Sequence, residues 1–199
     1  MPVAPERTPL AGRPAAARTA LLVIDMFSGW DFPDATALAR SAVRAARCIG
    51  GLKRRCDRAG IPTVFVNDNQ GRWRSDAPAI VARSAAATAS GAAIAADLAA
   101  DGDRDYFVLK PKHSAFFATP LDLLLRHLRV RRLVVTGVAG DQCVLLTAIE
   151  ARMQDYDVTV PADCVASLTA ERNAAALRYL KTAHKVRVGA SSGLRLLRK

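Results

Sequence analysis

The sequence predicts an α/β protein in which helices cover both faces of a six-stranded, mainly parallel sheet. Short apolar runs typical of strands alternate with helical segments along the whole chain. Strands joined by helices of about ten or more residues usually run parallel through right-handed crossovers, which gives three layers, α/β/α. The 199 residues, 51% of them hydrophobic, suffice for one core. We expect a loose N-terminal arm over 1–18 and a single domain over 19–199.

In the first half, strands are predicted near 20–25, 61–67 and 105–110, with a helix over 34–60. That helix has an apolar face built from Leu38, Ala42, Ala45, Ile49, Leu52, Cys56 and Ala59. Gly60 and Pro62 end it. The alanine-rich stretch 77–100 is compatible with helical or irregular structure.

In the second half, helices are predicted over 119–129, 141–155 and 169–183, and strands over 131–137, 156–161 and 185–189. Thr119 and Pro120 supply an N-cap and a proline at the first helical position of 119–129.

Charge and cysteine usage limit the possible partners and locations. The net charge is +11, but the arginines of 34–60 recur along one helical stripe, as on an ordinary surface helix, so we consider nucleic-acid binding unlikely. No run is long enough for a membrane helix, and the N-terminus lacks the apolar stretch of a secretory signal. Four cysteines without CxxC spacing favour a reducing cytoplasm, and no metal-ligand spacing is present.

Chemically useful side chains follow three of the predicted strands. Asp25 ends the first strand, Lys110 ends the third, and a glycine-containing turn carries the fourth into a helix at Cys143. Ligands bind beyond the carboxyl ends of strands in such sheets, so we expect these three side chains to meet.

These groups predict an acid/base-assisted cysteine nucleophile. A helix N-terminus and Lys110 would bias the Cys143 thiol toward thiolate, and Asp25 would accept its proton. Backbone N–H groups of Ala139 and Cys143 would hold an oxyanion. Two plain alternatives remain, because free cysteine is usually buried and inert, and Asp25 could serve only as the ion-pair partner of Lys110.

Three segments resemble the isochorismatase-like cysteine hydrolase superfamily, which includes nicotinamidases and N-carbamoyl amidohydrolases. They are 21–26 (LLVIDM), 110–116 (KPKHSAF) and 136–144 (TGVAGDQCV), the last followed by Thr147 and Ala148. The resemblance covers nearly the whole chain.

The resemblance implies that Asp25, Lys110 and Cys143 are catalytic, with Lys112 as a competing but less fitting lysine. It also implies a cis peptide between Val138 and Ala139, which turns the Ala139 N–H toward the oxyanion. The implied strand order is 3-2-1-4-5-6, and the implied assembly is a homo-oligomer of at least two chains.

Two departures from family patterns are informative. Gly140 stands where many members carry threonine. The stretch 66–76 (VNDNQGRWRSD) lacks the histidine of the nicotinamidase metal site, so we expect neither a metal nor another required cofactor.

Seven residues are candidates for lining a substrate pocket: Phe27, Trp30, Asn67, Arg72, Trp73, His113 and Phe116. For the aromatic residues, core packing or a subunit interface is an equal alternative. Arg72 could clamp a substrate carboxylate or pair with Asp68 or Asp76, and His113 could act as a base or be structural.

The sequence thus predicts a hydrolase that cleaves a small amide, carbamoyl or related carbon–nitrogen bond through a thioester on Cys143. Cleavage of a vinyl ether on the same fold is one alternative. A non-catalytic basic interaction module is the other.

Overall fold

The computed structural model describes residues 18–196. The predicted N-terminal arm therefore lies outside the described residues, except for Arg18, which begins the first strand. The strands are β1 (Arg18–Ile24), β2 (Thr63–Asp68), β3 (Tyr106–Lys110), β4 (Val130–Val138), β5 (Asp157–Pro161), β6 (Val165–Ala166) and β7 (Arg187–Gly189). The helices are α1 (Ala35–Arg58), α2 (Ala77–Ala87), α3 (Ala89–Leu98), α4 (Leu121–His127), α5 (Cys143–Met153) and α6 (Ala170–Ala183).

The strand order is β3-β2-β1-β4-β5-β7, and every pairing is parallel. This confirms the predicted order, with β7 as the expected sixth strand. The two-residue β6, which pairs with the end of β4, was not predicted. It is too short to produce a periodic apolar pattern.

Two helix boundaries differ from the prediction for local reasons. The alanine-rich stretch forms two helices because Thr88 adopts an extended conformation and its hydroxyl accepts the N–H of Gly91, capping α3. Helix α4 begins at Leu121, with Pro120 in the N-cap position. Thr119 still serves the helix start, because its hydroxyl accepts the N–H of Leu121.

Alternate residues of each central strand face opposite layers. In β1, Leu22 and Ile24 pack in a cluster with α4, α5 and α6, whereas Leu21 and Val23 pack with α1, α2 and α3. A strand buried on both faces must be apolar throughout, which is why β1 reads as a continuous apolar run. The side chains that follow such strands are therefore the first polar groups at the edge of the sheet.

None of the helices within residues 18–196 has the length and apolar character needed to cross a membrane.

Candidate active site

Asp25 follows β1 in the left-handed region, with φ of 51°. Aspartate tolerates this conformation better than most residues. Its N–H still donates to Val66 of β2 at 2.9 Å, so the turn away from the sheet occurs directly at the strand end. Only 15% of the Asp25 side chain is exposed.

Lys110, the last residue of β3, is fully buried. Its Nζ lies 2.8 Å from Asp25 Oδ2 and 3.6 Å from Cys143 Sγ. It also donates to the carbonyl of Lys112 at 3.0 Å. Lys112 itself, the competing lysine, is exposed. The structure therefore brings together the three side chains that the sequence predicted to meet.

Cys143 is the first residue of α5, and 9% of it is exposed. The turn before it contains a cis peptide between Val138 and Ala139, as the resemblance implied. The Ala139 carbonyl accepts the N–H groups of Gln142 and Val144 at 3.0 and 3.1 Å, which fixes the start of the helix.

Gly137 allows β4 to approach β1 at this point. Its φ is 112°, and a Cβ there would lie 2.1 Å from the carbonyl oxygen of Ile24. A side chain at position 137 would therefore push β4 away from the residue that precedes Asp25.

The electrostatics of the site run against a resting thiolate. Burial and the neighbouring Asp25 carboxylate raise the pKa of the Cys143 thiol to about 12, although Lys110 acts in the opposite direction. The expectation of a thiolate-biased cysteine was therefore wrong. The helix N-terminus and one ammonium do not offset the desolvation of a buried thiol next to a carboxylate.

The pKa values of Asp25 and Lys110 are both raised above their ordinary values. Burial raises the pKa of Asp25 above its ordinary value, and Lys110 only partly reverses this. Burial opposes the charge of Lys110, but Asp25 and the other negative groups around it outweigh burial, so the pKa of Lys110 is raised. The site thus holds an ammonium beside a carboxylate that takes up a proton more readily than usual.

Asp68 completes the surroundings of Lys110, a role that sequence reasoning missed. Its carboxylate lies 3.6 Å from Lys110 Nζ, and its N–H donates to Asp25 Oδ1 at 2.7 Å. Asp68 is the last residue of β2 and pairs in register with Lys110. The strand-end rule that selected Asp25 and Lys110 would have selected Asp68 as well.

Two pocket candidates have other positions in the site. The exposed His113 places Nδ1 3.6 Å from Cys143 Sγ, so it contacts the predicted nucleophile directly. The amide of Asn67 is buried, donates to the Phe27 carbonyl at 2.7 Å and accepts the Phe27 N–H at 3.0 Å. Asn67 therefore clamps the segment that follows Asp25 instead of facing a substrate.

The aromatic candidates are divided between core and surface. Phe27 is 1% exposed and packs against Phe65 and Phe107, and Phe116 stacks on Tyr156 in the other core cluster. These contacts agree with core packing, the alternative weighed for both, and their place in a pocket wall stays a prediction.

The other pocket candidates lie in the loops after β1 and β2. Trp30 is 7% exposed, and within residues 18–196 its Nε1 has no hydrogen-bond partner. Trp73 is 79% exposed, and Arg72 is exposed beside it. The carboxylates considered as partners of Arg72 are engaged elsewhere, since Asp68 contacts Lys110 and Asp76 caps α2.

Gly140 leaves room for a side chain from α6. A Cβ at this position would lie 2.3 Å from Asn173 Oδ1, 2.6 Å from a methyl group of Val165 and 2.9 Å from the Ser167 hydroxyl. The Gly140 N–H donates to the Ala166 carbonyl at 2.8 Å, so the turn is held by β6 and the loop after it. In this chain the space next to position 140 is filled from α6.

Residues 18–196 contain no group of three or more histidine, cysteine, aspartate or glutamate side chains arranged to hold a metal ion.

Comparison with known proteins identifies the family. Residues 19–190 match the model of the Isochorismatase domain, and the chain therefore belongs to the isochorismatase family. The uncharacterized isochorismatase family protein YaaI of Bacillus subtilis is 37% identical over 162 residues, which are 81% of this chain and 88% of YaaI.

Two solved structures share the fold. The nicotinamidase SaPncA of Staphylococcus aureus superposes with a TM-score of 0.66 at 26% identity, covering 87% of this chain and 98% of that enzyme. The N-carbamoylsarcosine amidase of Thermoplasma acidophilum superposes with a TM-score of 0.68 at 22% identity, covering 89% and 99%. At that identity the second similarity concerns the fold alone.

Proposed function

We propose that this protein is a cysteine-dependent amidohydrolase that cleaves a small amide or carbamoyl carbon–nitrogen bond, with Cys143 as nucleophile, Asp25 as acid and base, and Lys110 as electrostatic support. The observation that carries the proposal is the position of Lys110 Nζ, 2.8 Å from the Asp25 carboxylate and 3.6 Å from Cys143 Sγ. The nicotinamidase among the structural relatives agrees with this class of reaction.

In the first step the thiol is activated only as it attacks. With a pKa of about 12, Cys143 rests as a neutral thiol, and its contact with Asp25 provides the route for its proton. As sulfur bonds to the carbonyl carbon, the proton moves to Asp25 and the carbonyl electron pair moves to oxygen. The N–H groups of Ala139 and Cys143 hold that oxyanion.

In the second step the tetrahedral intermediate collapses. The electron pair on oxygen reforms the carbonyl, the carbon–nitrogen bond breaks, and the leaving nitrogen takes the proton from Asp25. An acyl thioester on Cys143 remains. Water then adds to it, the carbon–sulfur bond breaks, and the acid product leaves with the thiol restored.

Ammonia release from a panel of nicotinamide, simple primary amides and N-carbamoyl amino acids tests the proposal. Cys143→Ala and Asp25→Asn are each expected to lower kcat/KM by at least about 10^3. Cys164→Ala is the matched control, because Cys164 is another buried free thiol whose burial raises its pKa to about 12. It is expected to keep activity near that of the wild type.

Two results would contradict the cysteine mechanism. If Cys143→Ala keeps activity while Asp25→Asn loses it, the reaction is independent of the thiol, as expected for vinyl-ether cleavage. If neither substitution lowers turnover, the gathered side chains form only a buried ion-pair cluster.

A further inference from the structure

His113 is the solvent-side neighbour of the nucleophile. Two nitrogens lie 3.6 Å from Cys143 Sγ, Lys110 Nζ and His113 Nδ1. Lys110 is fully buried, whereas His113 is exposed. The imidazole is therefore the one of these two neighbours that water can reach.

The backbone on both sides of His113 is anchored to the site. Before it, the carbonyl of Lys112 accepts from Lys110 Nζ at 3.0 Å. After it, the Ser114 hydroxyl donates to Glu150, and the Ala115 N–H donates to the Thr147 hydroxyl at 3.0 Å. Glu150 and Thr147 belong to α5, the helix that begins at Cys143, so the backbone that carries the imidazole is held relative to the sulfur.

Asp25 is poorly placed to activate a water molecule from solvent. One of its oxygens accepts from Lys110 at 2.8 Å and the other accepts the Asp68 N–H at 2.7 Å. Only 15% of its side chain is exposed. A direct contact with the thiol suits it for acylation, but the hydrolytic water must arrive from solvent, to which His113 is exposed.

We propose that His113 is the general base that activates water for hydrolysis of the acyl-Cys143 thioester, an inference that rests on the proposed cysteine mechanism. A neutral imidazole nitrogen takes one proton from water as the water oxygen bonds to the thioester carbon. The carbon–sulfur bond then breaks, and the sulfur recovers a proton from the imidazolium. A base within hydrogen-bond reach of the attacking water is the arrangement that such a step requires.

The test separates acylation from deacylation with p-nitrophenyl acetate, which acylates thiols and releases a coloured product. In His113→Gln the initial p-nitrophenolate burst is expected within about threefold of the wild-type rate, while steady-state turnover falls by about 10^2 or more. An acetyl group should accumulate on Cys143 in intact-protein and peptide mass spectra. Added imidazole should restore the steady-state rate of His113→Ala without changing its burst.

His127→Gln is the matched control, since His127 is an exposed histidine at the end of α4. It should leave both phases unchanged. The proposal is overturned if His113→Gln slows the burst and the steady state equally, or if it changes neither.

Failure of the broader mechanism would look different. A burst that persists in Cys143→Ala, or a wild type that the ester does not acylate at Cys143, would contradict the nucleophile itself. A normal burst that depends on Cys143, together with unchanged turnover in His113→Gln, would remove only the role of His113.

Discussion

Two buried lysines, one near each end of β3, each have two carboxylates and a cysteine nearby. The two clusters differ in solvent access and in their position in the fold. At the amino end, Lys53 of α1 lies 3.0 Å from Asp105 and 3.3 Å from Asp57. At the carboxyl end, Lys110 lies 2.8 Å from Asp25 and 3.6 Å from Asp68. Each lysine also acts on the pKa of a nearby cysteine thiol. Lys53 acts on Cys56, and Lys110 acts on Cys143.

The Lys53 cluster and the Lys110 cluster differ in how far solvent reaches them and in where they lie in the fold. Cys56 is fully buried in the last turn of α1, and Asp105 is only 4% exposed, so the thiol and the nearer carboxylate of the Lys53 cluster are closed to a substrate. Cys143 begins a helix beyond the carboxyl end of β4 and has an exposed histidine beside it. A lysine, two carboxylates and a thiol therefore do not make a site unless the fold opens them to solvent beyond the strand ends.

The largest expected effect separates the lysines by activity. Lys110→Met should lower the burst rate with p-nitrophenyl acetate on the order of 10^3, because it removes the cation beside Asp25 and the sulfur. Lys53→Met, measured where it is folded, should leave that rate near the wild-type value. Equal losses in the two variants would mean that Lys110 acts only through stability.

The second largest effect concerns what the ion pairs of Lys53 contribute to the free energy of unfolding. Asp105→Asn is expected to lower the free energy of unfolding by about 3–5 kcal/mol, because it leaves the ammonium of Lys53 buried with one partially exposed partner. Asp57→Asn is the control and should cost under about 1 kcal/mol, since Asp57 is 30% exposed. Urea denaturation measures both, and equal costs would show that Asp105 is not the principal partner.

Substitutions at two glycines test the packing near the same two ends of β3. Gly140→Ala should destabilise the protein by about 1–3 kcal/mol, because its Cβ would meet Asn173, Val165 and Ser167. Gly102→Ala, in the loop before β3, has nothing within 4 Å of the added Cβ and should have little effect. If Asn173→Ala added to Gly140→Ala recovers no stability, the contact with α6 is not the cause.

The smallest effect concerns the pH dependence of alkylation by iodoacetamide. A Cys143 pKa of about 12 predicts a rate that climbs through pH 7–10 without a plateau. Asp25→Asn removes a negative neighbour and should lower the thiol pKa, giving several-fold faster alkylation at pH 8, whereas Lys110→Met should raise the pKa and slow it. Peptide mass spectrometry checks this, with Cys56 as the internal control.

Cys56 has a pKa similarly raised to about 12 by burial but is fully buried, so it should react more slowly than Cys143 under all these conditions. A plateau for Cys143 near about pH 8 would contradict the buried-thiol description and restore a resting thiolate.

The sequence alone predicted much of the frame. Parallel strands buried on both faces are recognisable as apolar runs, and strand ends are where the first charged residues appear, which is how Asp25 and Lys110 were selected. Cys143 was selected from the glycine-containing turn that carries the fourth strand into a helix. The proposed arm, the homo-oligomer, the cytoplasmic location and the independence from a cofactor stay predictions.

Features that depend on contacts between segments distant in the chain could not be predicted from the sequence. The burial of Lys53 in α1, the side-chain clamp from Asn67 to Phe27 and the filling of the space beside Gly140 by Asn173 join residues far apart in sequence. No local pattern distinguishes a buried lysine on a helix from an exposed one when its partner carboxylate lies some 50 residues away.

The sequence determined which of the longer strands form, that they run parallel, and which side chains stand at their carboxyl ends, because apolar periodicity and connection length are local properties. Only the tertiary structure decided that the Cys143 thiol rests protonated, that Asp68 joins Lys110 and that His113 faces the sulfur. A pKa and a contact distance depend on the full set of neighbours and on the water they exclude, and both are assembled only when the chain has folded.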